Sequence, residues 1–268
     1  MASVSDLLLE QLINAYLQAQ RLILVFDYDG TLAPFAARPE LARLDSKLRG
    51  LLARLAATPQ LAVGVVSGRD LHDLTAMVGL PGLYYGGTWG LELDLRGERL
   101  IPVDSPAARH RVKQLIALLE TRVTAYPGAW VEKKALGLTV HYRQVCAEHS
   151  AAAHEDFMAL LRPYAESVQL FQAPLAIEVL PSLGVDKGTA LQAIIAHSHS
   201  RQADGVLYAG DGLNDAAALA VAAAIGGIAL GIGPEPPAAA THRLADYREL
   251  TALLAQLAAT LTTLRASA

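Results

Sequence analysis

Asp27-Tyr28-Asp29-Gly30-Thr31 follows the apolar run Leu22-Ile23-Leu24-Val25-Phe26, which sets two carboxylates at the end of a predicted buried strand, beside a glycine turn. Alternation aims Asp27 and Asp29 to one side and Tyr28 to the other. Such a pair can divide the work of a nucleophile and of a proton donor and acceptor, and ligands of open α/β sheets gather at strand ends of this kind. Three more predicted strand ends carry polar residues: Ser67 after Leu61–Val66, Lys187 within Gly184-Val185-Asp186-Lys187-Gly188, and Asp211 with Asp215 after Gly205–Ala209. Four carboxylates against one lysine leave about three negative charges, and a phosphate monoester would bring roughly two more. Two like charges about 4 Å apart repel by roughly 4 kcal/mol at an effective dielectric near 20. Such a site needs a cation before it can hold an anion. Mg²⁺, which takes a few carboxylates together with waters and substrate oxygens, suits Asp27, Asp211 and Asp215 with a backbone carbonyl at Asp29.

Taken singly, each of these residues has a plainer reading. Aspartates before glycine make turns, Asp186 can serve as a helix cap, and a lone lysine is usually solvated. The chemistry therefore depends on elements that bring them together. Leucines at 41, 44, 48, 51, 52 and 55 have helical spacing and predict a helix over 41–55, leading into the strand Leu61–Val66. Strand, helix and strand then form a parallel crossover. The same grammar returns where Gly205–Ala209 runs through Gly210-Asp211-Gly212 into an alanine-rich segment. Two α/β portions thus flank the middle of the chain.

The middle differs. From Gly128 to Arg143, Leu138, Val140 and Tyr142 alternate with Thr139, His141 and Arg143, as in an antiparallel sheet with one solvated face. Ala135-Leu136-Gly137 supplies a bend, Arg109–Arg122 a covering helix, and Trp130 is read as packing. The expected organisation is an α/β core of residues 1–104 and 179–268, with a mainly parallel sheet, and an inserted α+β domain over 105–178.

Bulk properties narrow the partners. The chain has 268 residues, 53% hydrophobic, with a formal net charge of −4. This is enough apolar content for a substantial core, and it leaves no basic excess for a nucleic-acid backbone, so a small molecule is the expected ligand. Cys146 is the single cysteine, which excludes an intrachain disulfide and fits a reducing cytoplasm. Met1–Gln20 carries Asp6 and Glu10 where an export signal would carry basic residues, and reads as an amphipathic helix around Leu8, Leu12, Ala15 and Tyr16. The uncharged Ala216–Pro234 segment is divided by Gly226-Gly227 and is read as a buried helix and strand, not a membrane span.

Asp27-x-Asp29-Gly30-Thr31, Ser67, Lys187 and Gly210-Asp211-Gly212-Leu213-Asn214-Asp215, in that order, resemble the four motifs of the haloacid dehalogenase superfamily of phosphatases. The resemblance implies a Rossmann-like core, Mg²⁺ and an aspartyl-phosphate intermediate. It assigns Asp27 as nucleophile, Asp29 as acid and base, Thr31, Ser67 and Gly68 to phosphoryl oxygens, and Lys187 to charge compensation. Within that superfamily the chain most resembles the trehalose-6-phosphate phosphatases. Glu132-Lys133-Lys134, His141-Tyr142-Arg143 and Glu178 before Pro181 match motifs of the inserted domain. This implies a sugar-phosphate substrate read by Glu132, Lys134, His141, Arg143 and Glu178, a mobile cap, and functional pairing with a trehalose-6-phosphate synthase. Two departures stand out. Gly87-Thr88-Trp89-Gly90-Leu91-Glu92 has Trp89 where the family has histidine, and the fourth motif has the form common in neighbouring sugar phosphatases. Mannosyl-3-phosphoglycerate and glucosylglycerol phosphate therefore stay open as substrates, as does a non-catalytic sugar-phosphate sensor.

Overall fold

The five residues of the first strand are wholly buried because both of its faces are covered: Leu22, Leu24 and Phe26 enter one apolar cluster, Ile23 and Val25 another. This is why the strand reads as an unbroken apolar run and not as an alternation. The computed structural model describes residues 4–18, 21–36, 41–173, 175–198 and 205–266. Backbone contacts divide the chain into Met1–Pro102 with Asp186–Ala268, and Val103–Val185.

In chain order the first unit opens with α1 (Val4–Gln18), β1 (Leu22–Phe26), α2 (Ser46–Ala56), β2 (Leu61–Val66), α3 (Leu71–Val78), β3 (Tyr84–Gly87), β4 (Glu92–Leu95) and β5 (Glu98–Leu100). The second unit holds α4 (Pro106–Val123), β6 (Trp130–Lys133), β7 (Leu138–His141), α5 (Ala147–Leu161), β8 (Val168–Ala173) and β9 (Ala176–Pro181). The chain then returns with α6 (Lys187–His197), β10 (Gly205–Gly210), α7 (Ala216–Ala224), β11 (Ile228–Ile232), β12 (His242–Leu244) and α8 (Tyr247–Ala266).

The core sheet runs β12-β11-β10-β1-β2-β3-β4-β5. It is parallel from β12 through β3, and β4 and β5 add antiparallel at one edge. Leucines of α1, α2 and α8 pack on one face, and Leu191, Ile194 and Leu219 of α6 and α7 on the other. The chain departs from β1 toward β2 and later returns on its other side at β10. The ends of β1, β10 and β2 thus border a switch point, where crevices form in open α/β sheets.

Several elements begin or end where local chemistry dictates. Helix α1 buries Leu8, Leu12 and Tyr16 as expected, while Met1–Ser3 and Ala19–Gln20 lie outside the described residues. Helix α2 starts at Ser46 and not at Leu41, because the Asp45 side chain accepts from the amides of Lys47 and Leu48 and caps it there. Ala216–Pro234 divides into α7 and β11 at Gly226-Gly227. No helix among the described residues is long and apolar enough to cross a membrane.

The second unit is a four-stranded antiparallel sheet of order β6-β7-β9-β8. Leu138, Val140, Ile177 and Val179 meet Leu115, Leu119, Phe157 and Leu161 of α4 and α5 in one apolar cluster. Two sequence expectations change here. The unit runs over 103–185 and not 105–178, because β9 stays paired with β8 out to Pro181 opposite Val168. Strand β7 stops at His141, since a turn in which the Val145 amide donates to the Tyr142 carbonyl carries the chain toward α5. Arg143 accordingly lies in that turn and not on the strand.

Candidate active site

Asp27 stands one residue beyond β1, its amide donating to the Ala209 carbonyl of β10 at 2.8 Å, so the backbone of one strand end is tied to the next. The following turn is closed by the amides of Leu32 and Ala33, both donating to the Tyr28 carbonyl, and by that of Gly30, donating to Ala33. Tyr28 points the other way, fully buried with its hydroxyl on the Ala42 carbonyl. Glycine is required at 30: its φ is +87°, and a Cβ there would fall 2.2 Å from Asp211 Oδ2. Gly30→Ala is expected to displace Asp211 and to lower Tm by several degrees, corresponding to about 1–3 kcal/mol of backbone and steric strain. A thermal melt beside an activity assay checks it, and an unchanged Tm would refute the close approach.

Lys187 arrives from the other end of the chain. Asp186 and Thr189 form a reciprocal capping box that starts α6, so Lys187 leaves from the first turn. Its Nζ, fully buried, donates to Asp27 Oδ1 at 2.5 Å and to Asp215 Oδ1 at 2.7 Å. The two carboxylates overcome the effect of burial and raise the Lys187 pKa above its ordinary value, so the ammonium stays charged. The Trp89 ring lies beside it, with Nζ 5.8 Å from the ring centroid.

Asp215 is also fully buried, and its oxygens are heavily occupied. Oδ1 accepts from Lys187 and from the Tyr208 hydroxyl at 2.7 Å, and Oδ2 from the amides of Asp211 and Gly212 at 3.1 Å each. An ionised carboxylate offers about four acceptor positions, and these contacts use them. Asp211 differs: burial, then the charge of Asp215, push its pKa up to about 6. Burial raises that of Asp27 as well, against the pull of Lys187.

The carboxylates of Asp27, Asp211 and Asp215 offer oxygens within 4.8 Å of one another. Carboxylates gathered this closely favour a cation among them beyond the one Lys187 ammonium. The donor set, all hard oxygen, fits a divalent ion such as Mg²⁺.

The ligand expected at Asp29 is its backbone carbonyl, and the contacts of its side chain leave that expectation as it stands. Its side chain does not join this cluster, because both oxygens are taken by Arg69, with Nε at 2.7 Å and Nη2 at 2.6 Å. Arg69 was not singled out in the sequence, although it follows Ser67 and Gly68 directly. A basic residue two positions past a candidate strand end was the available signal. Tyr208 was likewise missed, and a tyrosine inside an aliphatic strand that ends at the site could have drawn attention to it.

Thr31 and Ser67 are both buried near their strand ends. Thr31 Oγ1 has no hydrogen-bond partner among the described residues, and a buried hydroxyl left open calls for a ligand atom. Ser67 Oγ accepts from the Arg69 amide at 3.2 Å, which leaves its own O–H to donate. Gly68 lies in the turn between them. The next loop is strained: Thr88 and Trp89 adopt φ of +47° and +61°, rare for side chains of this size. They are held by their amides, which donate to the Arg69 and Ser67 carbonyls.

In the second unit, register places Glu132, Thr139, Glu178 and Phe171 in one row across the sheet, on the face turned from the helices. His141 Nε2 meets Glu132 Oε2 at 2.7 Å, and Lys134 Nζ pairs with Glu178. Four of the five residues expected to read substrate are thus brought together in this unit, and Arg143 stays in its exposed turn.

Residues 25–239 match the family model described as Trehalose-phosphatase. The chain belongs to the trehalose-phosphatase family. The trehalose-phosphate phosphatase of Mycobacterium avium is 34% identical over 194 residues, covering 71% of this chain and 48% of that protein, so the chain spans about half the length of the curated relatives it matches. Among solved structures, the C-terminal domain of Candida albicans trehalose-6-phosphate phosphatase superposes with a TM-score of 0.79 at 24% identity, over 94% of this chain and 97% of that one. A haloacid dehalogenase-like hydrolase from Bacteroides thetaiotaomicron gives 0.65 at 14% identity, over 88% and 99%. At such identities the likeness is one of fold, and it is the haloacid dehalogenase fold. For a trehalose-phosphatase family member, the strand-end cluster around Lys187 is where the family's chemistry would be sought.

Proposed function

We propose that this chain is a Mg²⁺-dependent phosphatase that hydrolyses trehalose 6-phosphate to trehalose and phosphate. The observation that carries the reading is Lys187, fully buried and bridging Asp27 to Asp215, with a third carboxylate, Asp29, two residues past Asp27 and held by Arg69. Asp27 attacks phosphorus through a carboxylate oxygen while the bond from phosphorus to the sugar oxygen breaks. Asp29, released from Arg69 and protonated, donates its proton to that departing oxygen. In the second step Asp29 takes a proton from water, which attacks phosphorus and displaces the Asp27 carboxylate, releasing phosphate. Splitting one displacement in two lowers each barrier. Thr31 and Ser67 donate to phosphoryl oxygens, and Lys187 balances charge on Asp27 throughout.

Asp27 and Asp211 would hold the cation, with Asp215 behind them orienting Lys187 and the Asp211-Gly212 backbone. When bound, Mg²⁺ would supply positive charge to offset that of the carboxylates and of the phosphoryl group. Glu132, Lys134, His141 and Glu178 read sugar hydroxyls, each already fixed by a partner. A trehalose-6-phosphate synthase would supply the substrate. A panel of sugar phosphates, with Mg²⁺ and with chelator, tests the reading. Turnover of trehalose 6-phosphate that is lost with chelator is expected. No turnover of any sugar phosphate would overturn the enzyme class, and preference for mannosyl-3-phosphoglycerate or glucosylglycerol phosphate would overturn the substrate alone.

Asp29→Asn separates the two proton transfers. Loss of an acid and base lowers kcat on the sugar phosphate by about 10²–10⁴-fold. p-Nitrophenolate leaves without protonation, so with p-nitrophenyl phosphate the variant should release about one equivalent of nitrophenol in a burst and then stall as phosphoenzyme. Slow turnover without a burst would reject Asp29 as the base.

A further inference from the structure

Trp130, read in the sequence as packing, joins no apolar cluster among the described residues of its unit and stays 39% exposed. It starts β6, the edge strand of the four-stranded sheet, directly across from His141. The two rings are stacked, centroids 4.1 Å apart and planes within 16°. The imidazole is fixed in turn by Glu132, two residues along the same strand, through the 2.7 Å contact at Nε2. Carboxylate, imidazole and indole thus form a chain that holds the indole upright. Because β6 is the edge, no strand of this sheet among the described residues lies beside the ring face turned away from His141.

We propose that this indole is a stacking platform for a pyranose ring of the substrate, and so a specificity determinant that the motif residues do not include. The proposal rests on the function proposed above. A pyranose presents a face of C–H groups ringed by hydroxyls, and its natural complement is a flat apolar surface with a few polar groups beside it. Trp130 is that surface, and Glu132 lies on the same face with Glu178 and Lys134 farther across the sheet. A ring already held in place gives up little conformational freedom on binding. His141, besides its proposed contact with sugar hydroxyls, also sets the indole through the stacked imidazole, whose Nε2 is engaged by Glu132.

Trp130→Ala and Trp130→Phe in the full chain test it. With trehalose 6-phosphate, Trp130→Ala should raise KM about tenfold with kcat within about twofold, and Trp130→Phe should stay within about threefold of the parent KM. KM for p-nitrophenyl phosphate, which has no sugar, should not move in either variant. Trehalose should also change tryptophan emission of the parent, and Trp130→Phe should abolish that change while the buried Trp89 remains. An unchanged KM in Trp130→Ala, an equal rise for both substrates, or an emission change that survives Trp130→Phe would overturn the platform alone. If the parent hydrolyses p-nitrophenyl phosphate but no sugar phosphate, the proposed function fails and the platform falls with it.

Discussion

Asp27→Asn should lose about 10⁴-fold or more in kcat on any phosphate monoester while the protein stays folded. The magnitude follows from removing the atom that forms the covalent bond, since nucleophile removals in enzymes of this kind of two-step chemistry leave only binding and electrostatic assistance. The fold should survive because asparagine has the same shape and its carbonyl can still accept from Lys187 Nζ, which retains Asp215 at 2.7 Å. Phosphate release, incorporation of labelled phosphate into protein and a thermal melt check the three parts. Residual activity above about 1% of the parent with no folding defect would exclude Asp27 as nucleophile.

Lys187→Met is expected to damage stability and activity together. It leaves the buried carboxylates of Asp27 and Asp215 without their shared ammonium, and an uncompensated buried charge costs about 3–5 kcal/mol. For a protein of this size that is a Tm lower by something on the order of 10 °C. Adding Asp215→Asn to Lys187→Met should recover part of the stability, because the charge left unpaired is then removed, but none of the activity. A double-mutant cycle on Tm reads the coupling. Additive losses would show that Lys187 and Asp215 do not act as a pair.

Much of the core was legible because its information is local. Each motif strand is a short apolar run stopped by glycine or a polar turn, and the two-sided burial of β1 left no alternation to confuse it. Strand β7 was legible for the opposite reason, its alternation separating the helix-covered Val140 from His141. Boundaries failed where capping or a turn overrode periodicity. The leucine spacing continues back to Leu41, but Asp45 begins the helix, and the alternation continues to Arg143, but the Tyr142–Val145 turn ends the strand.

By itself the sequence determined the fold class, the residues delivered to the strand ends, and the need for a cation among so many carboxylates. These depend on residue type and on spacing within single elements. Tertiary structure alone decided the partner of each side chain. Asp29 is bound by Arg69, 40 residues away, Lys187 reaches Asp27 across 160, and Trp130 faces outward on an edge strand instead of into the helices. Spacing along a chain says which side of a strand a residue occupies. Which charge or ring meets it there depends on strand order and on side-chain rotamers, and both are fixed only when the sheets assemble.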